Sequence, residues 1–158
     1  MNAAIAGNAI SRAEVDAFRE AYTNRDIATV AAFLADDVEW TVSGPVDILP
    51  FSGTHRGKAA VLNLITHQIP KVLHIDRLEP QMTLVDGDRA ALLNRVVARH
   101  HGDGRAISYR LANFMQFRGG KVVKNLSFLD TFDAAEQVLG RSLAGENSSA
   151  GRGGLVAV

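Results

Sequence analysis

Tyr109 and Asn113 are the two side chains whose setting most suggests chemistry. If the stretch 105–118 is a strand, alternate residues share a face, and these two then point the same way as Ile107, Leu111, Met115 and Phe117. A phenol or an amide among apolar neighbours costs roughly 1–3 kcal/mol unless something pairs with it. Water, one another, Arg95 or a ligand must supply that pairing. An asparagine N–H₂ donates to a carbonyl or an oxyanion with no shifted pKa, and can equally satisfy buried backbone groups. The opposite face carries Ser108, Arg110, Ala112, Phe114 and Gln116, a mixture that suits a partly buried partner surface.

Histidine supplies the candidate general acids and bases. His55 lies between a loop and a helix, and His67 lies near that helix's end. Each has a plainer reading as a local hydrogen-bonding residue. His100 and His101 are adjacent on a strand, so they point to opposite faces and cannot chelate one metal together. With Asp103 in the next turn they read as surface residues. Arg95 offers a fork of donors that suits a carboxylate or phenolate, or else it is an exposed sheet arginine. Asp130 is either a carboxylate at a pocket mouth or a helix cap. There are no cysteines, hence no thiolate nucleophile and no disulfide framework. Phosphate loops, nucleophile elbows and metal-ligand spacings are not recognisable, so neither a metal nor an organic cofactor is expected.

The elements that must position these groups follow from periodicity and turn signals. Ser11 and Glu14 have capping-box spacing, and Val15, Phe18 and Tyr22 recur at helical spacing, predicting a helix over 12–23. Asp26 caps a second helix burying Ile27, Val30, Ala31 and Leu34, which Asp36-Asp37 ends. Residues 38–42 alternate as a strand. Residues 43–54 hold two prolines and two glycines, yet carry Ile48, Leu49 and Phe51, which suggests a flap over an apolar opening. A third helix spans 58–68 and stops at Pro70. Four strands follow, over about 73–85, 89–101, 105–118 and 121–129, separated by turns rich in Gly and Asp. A short helix over 133–139 closes the domain, with Asp133 and Glu136 in capping-box register. Three helices followed by an antiparallel meander is an α+β order, and the helices are the only cover for one sheet face.

The chain has 158 residues, 17 basic and 17 acidic, with 47% hydrophobic. That is one domain, expected over 11–140, with flexible termini at 1–10 and 141–158. Zero net charge gives no footprint for nucleic acid or an anionic membrane. No apolar run approaches the ~20 residues of a membrane span. The N-terminus lacks the basic and apolar regions of a signal peptide, so a cytoplasmic location is expected.

Several ordered patterns resemble the SnoaL-like branch of the nuclear-transport-factor-2-like superfamily. They are Asn24-Arg25-Asp26 with 33–40 (FLADDVEW), 51–61 (FSGTHRGKAAV), and 117–123 (FRGGKVV) with 128–131 (FLDT). The resemblance implies a cone in which three N-terminal helices pack in a strongly curved antiparallel sheet around a pocket. It also implies a homodimer through the outer sheet face. Ketosteroid isomerase, a similar fold, uses an aspartate base with a tyrosine and a protonated acid as oxyanion donors. Those positions match Val42, Phe18 and Asn113 here, so the base is missing. Limonene-epoxide hydrolases use an arginine–aspartate pair and a second aspartate. These match Arg95, Val97 and Ser127, so both carboxylates are missing there too.

Two functions follow as expectations. One is a pocket for a small, mostly apolar ring- or carbonyl-bearing ligand, with cofactor-free isomerisation, dehydration or cyclisation through His55 or His67 as base and Asn113, Tyr109 or Arg95 as donors. Trp40, Phe18, Val42, Ser127, Arg95 and His67 would contact the ligand. The other is a non-catalytic binding or dimerisation module that keeps the cavity without the acid–base groups. Retained polar groups on the inner face favour the first, and the lost carboxylates favour the second.

Overall fold

Residues 9–143 are described by a computed structural model, and the expectations for most of the flexible termini lie outside them. Helix α1 (Arg12–Thr23) begins at the anticipated capping box. The Ser11 hydroxyl accepts from the Glu14 N–H at 3.1 Å, and the Glu14 carboxylate accepts from the Ser11 N–H at 2.8 Å. Val15, Phe18 and Ala21 form its buried stripe. Ile10, expected to fray, is instead buried and donates its N–H to the Gly87 carbonyl at 2.9 Å.

Arg25, the one non-glycine residue with positive φ (58°) among those described, turns the chain into α2 (Ile27–Phe33). Asp26 caps this helix by accepting from the Thr29 N–H at 3.1 Å. Strand β1 (Leu34–Ser43) follows with no intervening loop. The Asp36-Asp37 pair, expected to end the helix, lies inside β1, where the pairing register shifts between Leu34 and Glu39. The shift lets both carboxylates face out, to Lys58 and Arg118.

The expected flap contains β2 (Gly53–Arg56), paired antiparallel to β1. Leu49 and Phe51 are packed in the core. The third helix is α-helical only as α3 (Lys58–Asn63), then widens to a π turn over Leu64–Gln68 and a 3₁₀ turn over Ile69–Lys71. The Thr66 hydroxyl bonds the Leu62 carbonyl at 2.8 Å and Pro70 has no N–H, so the regular ladder is disturbed twice within five residues.

The long strands are β3 (Leu73–Asp86), β4 (Arg89–His100), β5 (Ala106–Arg118) and β6 (Lys121–Leu129). They form the expected meander, but the sheet is mixed and six-stranded, in the order β2-β1-β6-β5-β4-β3. Strand β1 runs parallel to β6, with Trp40 opposite Asn125 and Val42 opposite Ser127. Hairpin signals reveal only neighbours in sequence, so this closure was not legible in them. Register shifts in β3, one of them at Pro80 on this edge strand, help curve the sheet around the helices.

Helix α4 (Thr131–Leu139) starts two residues earlier than expected, and Asp133 and Glu136 form no capping box. Glu136 instead accepts from Ser142 and from the Leu143 N–H. Asp130 occupies the N-cap position but makes no side-chain cap; it pairs with Arg110 at 3.3 Å. The Gln137 amide brackets the Ser108 backbone, donating to its carbonyl and accepting from its N–H, both at 2.8 Å. Beyond the β5–β6 register, that side chain does the work of a neighbouring strand.

A candidate ligand cavity between the first helix and the sheet

The concave face of the sheet and the inner face of α1 leave a cavity with about 70 Å³ available to the centre of a water-sized sphere. One water needs about 10–15 Å³ on this measure, so several waters or a small ring fit. The wall is mainly apolar, as strand alternation requires: Leu92 and Val96 flank Asn94 on β4, and Leu111 and Met115 flank Asn113 on β5. Trp40 and Val42 come from β1, and Phe18 from α1. The Phe18 and Trp40 rings lie 6.3 Å apart, and Phe18 also meets Phe33 edge-on at 5.6 Å, so the aromatic wall is held from behind.

A polar patch interrupts this wall. Asn113 Nδ2 donates to Ser127 Oγ at 2.8 Å and to Asn125 Oδ1 at 3.3 Å, and Asn125 Nδ2 donates to the same Ser127 Oγ at 2.8 Å. Asn113 and Ser127 are direct cross-strand partners. Because the serine oxygen accepts twice, its own O–H is left free to donate elsewhere.

Asn94 is different. It is 1% exposed, lines the cavity, and its Oδ1 has no partner. As placed, its side chain makes no hydrogen bond among the described residues.

Two phenols complete the polar groups. Tyr109 and Tyr22 line the cavity, and neither hydroxyl is hydrogen-bonded among the described residues. Burial raises the Tyr22 pKa to about 12, opposed in part by Arg25. Burial pushes Tyr109 still higher, with Tyr22 adding to the effect. Both are neutral donors at physiological pH. Tyr109 and Asn113 are four residues apart, about 13 Å along the strand, and so do not pair with one another.

Arg19 is the cation in the lining. Its side chain is 15% exposed and stands 2.8 Å from Asp16, with a longer contact to Thr83 at 3.4 Å. None of the lining residues is Asp, Glu or His.

Of the residues expected at the site, Asn113, Tyr109, Trp40, Phe18, Val42 and Ser127 line the cavity. Arg95, His55 and His67 do not, which corrects those three expectations. Arg95 falls between the inward residues Asn94 and Val96, so parity turns it outward, where it donates to Ser108 Oγ at 3.3 Å. His55 sits opposite Trp40 on the edge strand, its ring held at 3.1 Å by the Phe51 carbonyl. His67 is exposed and bonds its neighbour Thr66 at 2.7 Å. The sequence reading missed Asn94, Asn125, Arg19 and Tyr22. A lone amide at inward parity, between Leu92 and Val96, was the available signal for Asn94. Among the described residues, no cluster of His, Cys, Asp or Glu could hold a metal, and no helix is long and apolar enough to cross a membrane.

An α+β cone with a mostly apolar hollow between helix and curved sheet is a ligand-pocket architecture. The SnoaL-like domain matches residues 15–125, and the chain belongs to that family. Solved structures share the fold. A Rhodopseudomonas palustris protein provisionally named an isomerase is 36% identical, with a TM-score of 0.71 over 80% of this chain and 93% of that one. A nuclear-transport-factor-2-like protein from Burkholderia xenovorans is 26% identical, with a TM-score of 0.68 over 79% and 92%. TerC, crystallised with polyporic acid, is 20% identical, with a TM-score of 0.70 over 80% and 95%. A search of curated proteins finds no significant match.

Proposed function

We propose that this chain binds a small, mostly apolar ring compound bearing carbonyl or hydroxyl groups. The observation that carries the reading is Asn94, a fully buried amide facing the cavity with no protein partner. Such a group costs roughly 1–3 kcal/mol unless a guest or water completes it. An amide both donates and accepts, so a carbonyl beside a hydroxyl matches it. The free Ser127 O–H and the two neutral phenols supply further donors, and Trp40 and Phe18 supply a surface for a ring.

Trp40 is the chain's one tryptophan, so its fluorescence reports on the cavity directly. Titration with monocyclic and bicyclic ketones and phenols should give saturable changes that Asn94→Leu weakens. A panel with no saturable response would sink the reading.

Similarity to the provisionally named isomerase supports a second reading, cofactor-free proton transfer. That chemistry needs a base, and the lining offers no carboxylate or imidazole. Binding is therefore preferred. Deuterium uptake next to the carbonyl of a bound ring ketone in D₂O, above the uncatalysed rate, would reverse the preference.

We also propose that two copies pair through the convex sheet face. Two adjacent cross-strand rows run over it, Met82-Leu93-Ala112-Phe128 and Leu84-Ala91-Phe114-Leu126. Phe114 and Phe128 are 53% and 44% exposed and meet edge-on at 6.0 Å. Four strands of unburied apolar surface suit a self-complementary interface.

A further inference from the structure

The polar groups around the cavity are unbalanced in kind. On the donor side are the hydroxyls of Tyr22, Tyr109 and Ser127, none with an acceptor among the described residues, and the Arg19 guanidinium. No carboxylate lines the wall to answer them. Arg19 does have Asp16 at 2.8 Å, but Asp16 is shared with Arg12 at 3.1 Å, which leaves the trio one positive charge in excess. The Arg19 contact is also misaligned: Asp16 Oδ1 is buried and receives no properly directed hydrogen bond despite the short distance. The guanidinium is close to its carboxylate without being bonded to it well.

The neighbouring space has the same character. A second hollow of about 220 Å³ adjoins the cavity, with Tyr22, Ile69 and Ile75 lining both. It too lacks an acidic lining residue, and its cation, Arg25, has its side-chain hydrogen bonds among the described residues with His74 Nδ1 at 3.3 Å and the Ile75 carbonyl at 3.5 Å. Arg25 has no ion pair among the described residues. Both hollows are therefore cationic where they are charged at all, in a chain whose overall charge is zero.

We infer that the guest is a ring-bearing weak acid held as its anion, with Arg19 as the residue that selects the charge. This rests on the ligand-pocket reading above and narrows it to a class: aromatic carboxylates, ionised enols or acidic phenols. Arg19 and Tyr22 are three residues apart on one helix face, so guanidinium and phenol can donate to the same oxyanion from the helix side. The ring then lies between Phe18 and Trp40, and the amides of the sheet wall meet its remaining carbonyl or hydroxyl.

The test compares acids with their uncharged amides: benzoate with benzamide, and 2-naphthoate with 2-naphthamide, by calorimetry and Trp40 fluorescence at pH 7. Each acid should bind about tenfold or more tightly than its amide, the size of one charge-assisted contact. Arg19→Gln should weaken the acid to within about threefold of the amide and leave the amide unchanged. Asp16→Asn removes the competing carboxylate and should tighten the acid alone, which keeps the test open should Arg19→Gln not fold. Equal binding of acid and amide to the wild-type protein would overturn this inference and leave the pocket reading intact. So would an Arg19→Gln effect equal on both. No binding by any of the four compounds, or by the neutral ketones, would overturn both.

Discussion

Replacing Asn94 by leucine should make the ligand-free protein more stable, the reverse of what most buried substitutions do. The side chain is 1% exposed and its amide makes no hydrogen bond among the described residues, so the folded state carries an unpaired polar group. Its removal recovers part of roughly 1–3 kcal/mol. The cavity has room for a few waters, which already offset some of that cost, so the net gain is placed near the lower end, about 1 kcal/mol. For a chain of 158 residues, that corresponds to a rise in Tm of about 2–4 °C. Asn113→Leu, on the next strand of the same wall, should do the opposite. Asn113 donates to both Ser127 and Asn125, and its loss leaves the Asn125 carbonyl without a side-chain donor among the described residues, in a buried site. The expected cost is about 1–3 kcal/mol, or a fall of roughly 2–12 °C. Reversible thermal unfolding by circular dichroism, with urea midpoints as a cross-check, measures both. Shifts of the same sign would refute the reasoning, because the two asparagines would then not differ in hydrogen bonding.

The chain's two tyrosines, Tyr22 and Tyr109, are both raised above the ordinary value of 10.0, so absorbance near 295 nm should show no phenolate step between pH 10 and 11 in the folded protein. Raised folded pKa values mean that their contribution to stability is whole below pH 10 and is lost as the pH climbs, through about 12 for Tyr22 and higher for Tyr109; a phenolate step near pH 10 without unfolding would contradict this. Asp103 is held down to about 2 by the Arg105 side chain, then its backbone N–H, with His100 assisting, so its contribution is present above pH 4 and fades between 4 and 2. Asp103→Asn should therefore flatten the acid limb of urea midpoints plotted against pH, and an unchanged limb would count against the turn. Phe114→Asp should convert a dimer into a monomer by light scattering at about 50 µM; a wild-type monomer at that concentration would remove the proposed interface.

Much of the fold was legible because local signals agreed with one another. The Ser11 and Glu14 capping box, the Gly- and Asp-bearing turns and the alternation of 105–118 each act within a few residues, and each corresponds to an observed element. Three features resisted for a common reason. The parallel pairing of β1 with β6, the β2 strand inside the proline-rich loop and the widened turn after α3 depend on distant partners or on competing hydrogen bonds. At the site, parity placed Tyr109, Asn113 and their neighbours. Arg95 was misplaced because a family position was carried over where the alternation of Leu92, Asn94 and Val96 points it outward. Asn125 was within reach of the same rule: it shares the parity of Ser127, two residues further on in an unbroken register, and that signal was passed over.

The pairing of β1 with β6 also bears on how the chain is made. During synthesis β1 emerges early and finds only the four-residue β2 as a neighbour, while the rest of its hydrogen bonds wait for residues 122–128. Trp40 and Val42, opposite Asn125 and Ser127, therefore stay unsealed until nearly the whole domain has left the ribosome. Non-local closure of this kind slows folding, and an apolar strand kept waiting is open to the wrong partner. A nascent chain stalled before residue 121 should bind hydrophobic-surface chaperones, and release from them should coincide with the arrival of β6.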